Sequence, residues 1–192
     1  MSHYPRKISK EEINQLPLFK YQGEIKLIET IDEALAAAHE LNKESLIGFD
    51  TETRPAFKKN ESYQISLLQL ATKNVAYLFR LNKIPLIPEV TEILANEKIL
   101  KSGVAIRDDI IGLQNIKAFK PKSFIELADL AKEKQLKSFG LRSLTALLLG
   151  KRLSKSAKVT NWEKEKLTQA QCAYAASDAL VGLLLYEKLK NI

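Results

Sequence analysis

The chain alternates between two hydrophobic periods, and the points where the period switches mark its elements. Residues 25–29 alternate apolar and polar positions in the manner of a short strand. Thr30 and Glu33 stand at the spacing of a capping box, and Ile31, Ala34, Leu35, Ala38 and Leu41 then recur at helical spacing. The pattern predicts a helix over 31–43. Residues 45–53 form the next strand, which stops at Arg54-Pro55, and the polar stretch 54–61 is a loop. Two strands follow, 63–72 and 74–80, with Lys73-Asn74 as the turn of an antiparallel pair. The first becomes apolar on both faces towards its end, as a central strand does. Beyond them the periodicity predicts a helix over 88–96, a strand over 98–104, a helix over 108–116 and an extended piece over 119–124. Helices are expected over 125–133 and 141–149, the second closed by Gly150. Thr168 and Gln171 repeat the capping-box spacing and open a last helix that runs to about residue 188. Residues 1–24, with Pro5, Pro17 and Gly23, read as an N-terminal arm with a short helix near 9–15, and 25–192 as a single domain. Strands come early and helices late, which predicts an α/β fold with a mixed β-sheet flanked by α-helices.

Composition narrows the chemistry. A hydrophobic content of 45% and a charged content of 28% over 192 residues are ordinary for a globular domain with a real core. The formal net charge of +7 favours polyanionic partners, nucleic acid first. Cys172 is the only cysteine, which excludes an intrachain disulfide and a cysteine zinc site. His3 and His39 are the only histidines, so a His-rich metal site or a Ser/His/Asp triad is not expected. Any catalysis must rest on carboxylates and metal. No apolar run reaches the ~20 residues of a membrane span, and the N-terminus lacks a signal-peptide core. The expected location is cytoplasmic, with no membrane partner.

Three groups of acids then stand out. Asp50 and Glu52 project from the same face of strand 45–53, where two like charges are costly unless a proton or a cation intervenes. Taken alone, the pair reads more simply as a solvated strand end. Asp108 and Asp109 sit at a strand-to-helix junction, where either one would equally serve as a helix cap. Tyr174 and Asp178 lie one turn apart on the last helix. Ala173, Ala175, Ala176, Ser177 and Ala179 around them are small enough to let that helix approach another element closely. Four acids in one cleft call for about four positive charges. Two Mg²⁺ or Mn²⁺ ions supply them, and hard oxygen ligands suit those ions. Such a site suits in-line attack of water on a phosphodiester.

The same segments resemble the three motifs of the DEDD (DnaQ-like) superfamily of 3′–5′ exonucleases. These are FDTE at Phe49–Glu52, GVAIRDDIIGL at Gly103–Leu113 and YAASD at Tyr174–Asp178. Tyr-x-x-x-Asp is the mark of the tyrosine (DEDDy) subclass. The resemblance runs over roughly residues 25–190 and includes SLLQL at Ser66–Leu70, FIELA at Phe124–Ala128 and the stretch from Leu148 to Ala179. It is similar to the Werner-syndrome-type exonuclease domain and the ribonuclease D catalytic domain, and it implies a ribonuclease H-like fold. It also implies that Asp50, Glu52 and Asp178 hold a first metal, with Asp50 bridging to a second. Asp109, six residues after Gly103, would hold the second metal, with Asp108 as the rival. Tyr174 would orient the attacking water, and the products would be nucleoside 5′-monophosphates.

The resemblance also gives the basic stretch 151–166 a role beside the last helix. The expected nucleic-acid contacts are Thr51, Arg152, Lys155, Lys158 and Trp162, although a lone Trp before a helix serves as readily as a packing anchor. Two departures stand against the pattern. Ile111 occupies a position where the Werner-type domain has an aromatic residue. The chain also ends at Ile192 without helical domains or a helicase, so further substrate-binding parts are expected from a helicase or other nucleic-acid-processing protein in trans. The competing reading is a catalytically inactive nucleic-acid-binding module of the same fold.

Overall fold

A computed structural model describes residues 7–157 and 159–192. The elements run α1 (Lys10–Gln15), β1 (Glu24–Ile28), α2 (Ile31–Leu41), β2 (Leu46–Thr53), β3 (Ile65–Ala71), β4 (Val75–Arg80), α3 (Pro88–Ala95), β5 (Leu100–Gly103), α4 (Arg107–Ile116), β6 (Phe124–Glu126), α5 (Leu127–Glu133), α6 (Leu141–Leu149) and α7 (Gln169–Lys190). Local chemistry sets several of the boundaries. Capping boxes at Ser9–Glu12, Thr30–Glu33 and Thr168–Gln171 open α1, α2 and α7. Gly150, at φ 60°, closes α6 in the left-handed conformation that glycine adopts without cost.

The strands form one sheet in the order β1-β4-β3-β2-β5-β6. β3 is antiparallel to both β2 and β4, and the other pairings are parallel, so the sheet is mixed as expected. β3 is buried along its whole length, as its two-sided apolar pattern requires. One region differs from the periodicity. The extended piece falls at 124–126 rather than 119–124, and α5 starts at Leu127 rather than residue 125. Phe124, Ile125 and Glu126 pair with Lys101, Ser102 and Gly103, and that ladder overrides local helical preference.

Helices cover both faces. On one side α2, α3 and Leu113 of α4 close over Phe49, Leu68 and Leu70. On the other, α7 lies directly against β2, β3 and β4. Its approach is unusually close. A Cβ added at Gly48 would stand 1.8 Å from the carbonyl oxygen of Ala179, and one at Gly182 would stand 2.7 Å from that of Ser102. Ser102 Oγ donates to the Gly182 carbonyl at 3.2 Å across the same seam. The helix seats here because both surfaces are built from glycine and alanine.

Two polar ties fasten the remaining chain. Arg80 is fully buried and donates to Glu29 at 3.0 Å, Asn82 at 3.3 Å and the Lys164 carbonyl at 2.5 Å, which pins the segment before α7 to the sheet edge. The N-terminal segment is held by Arg152. Its Nε donates to the Leu16 carbonyl at 3.0 Å, and its own carbonyl accepts from Phe19 N–H at 2.8 Å. Among the described residues no helix is long and apolar enough to cross a membrane.

The seam between α7 and β2 makes a direct prediction. Gly48→Ala forces its methyl group into the Ala179 carbonyl, so the helix must move. Urea titration is expected to show a loss of about 3 kcal/mol, at the upper end of overpacking costs. Unchanged stability would mean the seam is not as tight as described.

Candidate active site

β2 and α7 meet at the acids. Asp50 and Glu52 lie two apart on β2 and so point to the face that α7 covers, while Phe49 and Thr51 point to the other. The register with β3 places Asp50 opposite Gln69 and Glu52 opposite Leu67. A β-bulge between Glu52 and Thr53 ends the regular ladder just beyond them. α7 delivers Asp178 and Tyr174 from above. One carboxylate oxygen from each of Asp50, Glu52 and Asp178 lies within 4.8 Å of the others. Asp178 is buried and the other two are half-buried. Tyr174 is also buried, and its hydroxyl is hydrogen-bonded to the Asp178 carboxylate.

The remaining motif, from Gly103 to Leu113, arrives on α4. Asp109 is half-buried and accepts a hydrogen bond of 2.5 Å from the Thr51 hydroxyl, whereas Asp108 is exposed. Asp109 therefore sits beside the cluster of three, tied to the strand that carries two of them. Glu126 aims the turn before α4. Its carboxylate accepts from the backbone N–H of Ala105 and of Ile106, each at 2.9 Å, and from Ala128 at 3.1 Å. Those bonds hold Ala105 at φ 62°, a conformation that non-glycine residues seldom adopt. A Cβ at Gly103 would stand 2.5 Å from the Phe49 carbonyl, so the turn also needs glycine there.

Burial and mutual repulsion raise the acids' affinity for protons. Burial raises Asp50 well above the usual carboxylate range, and the charges of Asp178, Glu52 and Asp109 add to the shift. The Thr51 backbone N–H opposes it only in part. Burial also raises Asp109, with Asp108 and Glu126 adding to it and the Thr51 hydrogen bond working against it. The Tyr174 hydroxyl is pushed up by burial, then by Asp178 and Glu52, so it keeps its proton. Oxygen donors at this spacing fit a hard divalent cation, and no sulfur or imidazole ligand is needed.

The acids open into a cavity of about 390 Å³. Its opposite wall is the start of α6, from Gly140 to Ser143, with Arg142 among the lining residues. A larger cavity of about 700 Å³ lies near Ser45 and Leu46, at the far end of β2 from the acids. The expected nucleic-acid contacts divide. Thr51 is engaged with Asp109. Trp162 is fully buried with its ring centroid 6.1 Å from that of Tyr174, so the indole supports the tyrosine and is not offered to a base. Arg152 holds the N-terminal segment, Lys155 is exposed, and Lys158 lies outside the described residues. The acidic members of the basic stretch pair outward, Glu163 with Arg54 at 3.2 Å and Glu165 with Lys83 at 2.9 Å.

Two residues of the site were not singled out by sequence. Gln69 faces α7 beside Asp50 with neither amide atom paired among the described residues. Its only signal is a polar residue inside an apolar run. Arg142 gives no signal at all, because its stripe of leucines reads as core.

The 3′–5′ exonuclease family model matches residues 25–192. The chain is 35% identical over 158 residues to the mouse bifunctional 3′–5′ exonuclease/ATP-dependent helicase WRN; the match takes in 79% of this chain and 11% of the mouse protein. Among solved structures, ribonuclease D of Escherichia coli, an exoribonuclease involved in structured RNA processing, superposes with a TM-score of 0.78 at 26% identity. That match covers 90% of this chain and 45% of the bacterial one. The EXO domain of Nibbler from Aedes aegypti gives a TM-score of 0.82 at 24% identity, covering 90% of this chain and 91% of that one, which establishes the ribonuclease H-like fold. Since that family model spans nearly the whole of the chain, the chain belongs to the 3′–5′ exonuclease family.

Proposed function

We propose that this chain hydrolyses phosphodiester bonds at nucleic-acid 3′ ends and releases nucleoside 5′-monophosphates one at a time. The observation that carries the reading is the meeting of Asp50, Glu52 and Asp178 within 4.8 Å inside a domain of the exonuclease family. Three carboxylates at that spacing, with Asp109 adding a fourth charge, are held together against strong repulsion. The donor set suits hard divalent ions, and two Mg²⁺ or Mn²⁺ ions would be held by Asp50, Glu52, Asp178 and Asp109. When bound, the ions supply charge neutralisation and Lewis acidity for attack by water on the phosphodiester.

The chain's own groups handle position and protons. Tyr174 keeps its proton, so it serves as a hydrogen-bond partner for the attacking water and not as its base. Asp178 holds that hydroxyl, and the Trp162 ring packs beside that of Tyr174, which supports Tyr174 in the role of the DEDDy tyrosine. Thr51 fixes one oxygen of Asp109 and leaves the other for a ligand. The net charge of +7 and the exposed Lys155 near α7 support a polyanionic substrate.

Purified protein is expected to shorten a 3′-tailed oligonucleotide in Mg²⁺ or Mn²⁺ and to stop in EDTA. Asp50→Ala is expected to abolish the reaction, and a fully active Asp50→Ala variant would falsify the assignment. Tyr174→Phe is expected to lower kcat by roughly 10²-fold, with a smaller change in KM.

The repulsion has a thermodynamic signature of its own. A carboxyl whose pKa is raised by folding contributes stability below its unfolded value and loses that contribution as pH rises through the folded value. For Asp50 the loss begins near the ordinary value of 3.8 and grows upward. In EDTA at pH 7, Asp50→Asn is therefore expected to raise Tm, by roughly 2–4 °C for each kcal/mol of repulsion relieved. At pH 3 the gain should vanish. Adding Mg²⁺ or Mn²⁺ should raise the wild-type Tm more than that of the variant; equal shifts would count against metal at this cluster.

A further inference from the structure

The wall that faces the acids has the opposite character. α6 begins at Gly140, which offers no side-chain cap, and the first-turn N–H groups of Leu141, Arg142 and Ser143 have no partner inside the helix. Space lies open in front of that turn, since a Cβ at Gly140 would meet nothing within 4 Å. Arg142 stands in the same turn and lines the cavity that holds Asp50, Glu52 and Asp178. Its Nε is buried and has no hydrogen-bond partner among the described residues. A buried guanidinium donor left unpaired carries an uncompensated desolvation cost. It lies in a cavity with three carboxylates, yet that nitrogen does not pair with them. The two walls are thus complementary to different charges. The acid wall fits cations, and the α6 wall presents a guanidinium fork and backbone donors at the positive end of a helix dipole. A group that satisfies both walls is an anion whose far side meets the cations. A phosphodiester has that form, and a fork of N–H donors matches its two non-bridging oxygens.

We propose that Arg142, together with the first-turn N–H groups of α6, grips a backbone phosphate next to the bond being cleaved and so positions the 3′ end over the acids. The inference rests on the nucleic-acid reading above and adds a binding residue to that site. Gly140 supports the role by leaving the helix end open to the strand.

The test compares wild type, Arg142→Ala and Arg142→Lys. Affinity for a fluorescent single-stranded oligonucleotide is read by anisotropy in Ca²⁺ over a range of salt, and kcat and KM are read in Mg²⁺. Arg142→Ala is expected to weaken binding at least about tenfold. It should also reduce the slope of log affinity against log salt by about 0.7, one phosphate contact on a single strand. Arg142→Lys should keep the wild-type slope and recover part of the affinity. A purely structural residue would lower Tm without moving the salt slope. If Arg142→Ala fails to fold, Arg142→Gln removes the charge at similar length and carries the same comparison. Wild-type affinity and slope in the uncharged variant, with wild type active, overturn the role of Arg142 alone. A wild type that neither binds nor cleaves the oligonucleotide overturns both this inference and the reading it rests on.

Discussion

The contact on which the site depends is the seating of α7 on β2. Gly48 and Ala179 meet where no side chain would fit, with 1.8 Å left for a Cβ at Gly48. Asp50 and Glu52 follow Gly48 on the strand, and Asp178 precedes Ala179 on the helix. This close approach is therefore one residue from one acid and two from another. Every larger side chain at the seam would push Asp178 away from its partners. The alanines around Tyr174 and the seam at Gly182 and Ser102 extend the same constraint along the helix.

What the seam brings together resists being together. Asp50 is raised by burial and by three neighbouring carboxylates, an arrangement that local energetics alone would not produce. It persists because both elements are fixed elsewhere. β2 lies inside the sheet, bonded to β3 and β5, and α7 is buried along most of its length. Stored repulsion of this kind is characteristic of functional sites, where a ligand relieves a cost that the scaffold sustains. The surrounding polar groups serve the same end. Glu126 accepts three backbone N–H bonds and so fixes the turn that aims Asp109. Arg80 pins the segment that carries Trp162 behind Tyr174. The opposite wall, at α6, is left uncapped and holds Arg142, so the cavity is polar on both sides but of opposite sign.

Most of the architecture is legible in the amino-acid order because it follows from local rules. Capping boxes, the Lys73-Asn74 turn, the Gly150 stop and the two-sided apolar pattern of β3 depend on residues a few positions apart, and these features stand where the pattern put them. The acids are legible for a different reason. Asp50, Glu52, Tyr174 and Asp178 lie at spacings that force shared faces on a strand and on a helix, whatever surrounds them.

Long-range packing decided the rest. Hydrophobic periodicity does not separate Asp108 from Asp109; the spacing from Gly103 favours Asp109 through the family resemblance, and in the fold the Thr51 hydroxyl holds Asp109 while Asp108 stays in solvent. Trp162 and Arg152 look alike in a basic stretch, yet tertiary contacts bury the first under Tyr174 and commit the second to the N-terminal segment. The start of α5 moved because pairing with β5 outweighed helical preference. Arg142 belongs to the site only because α6, packed on α7, shares a cavity with the end of β2, roughly ninety positions earlier in the chain. Periodicity records which face a residue occupies; which element that face meets is settled by the packing of the whole chain.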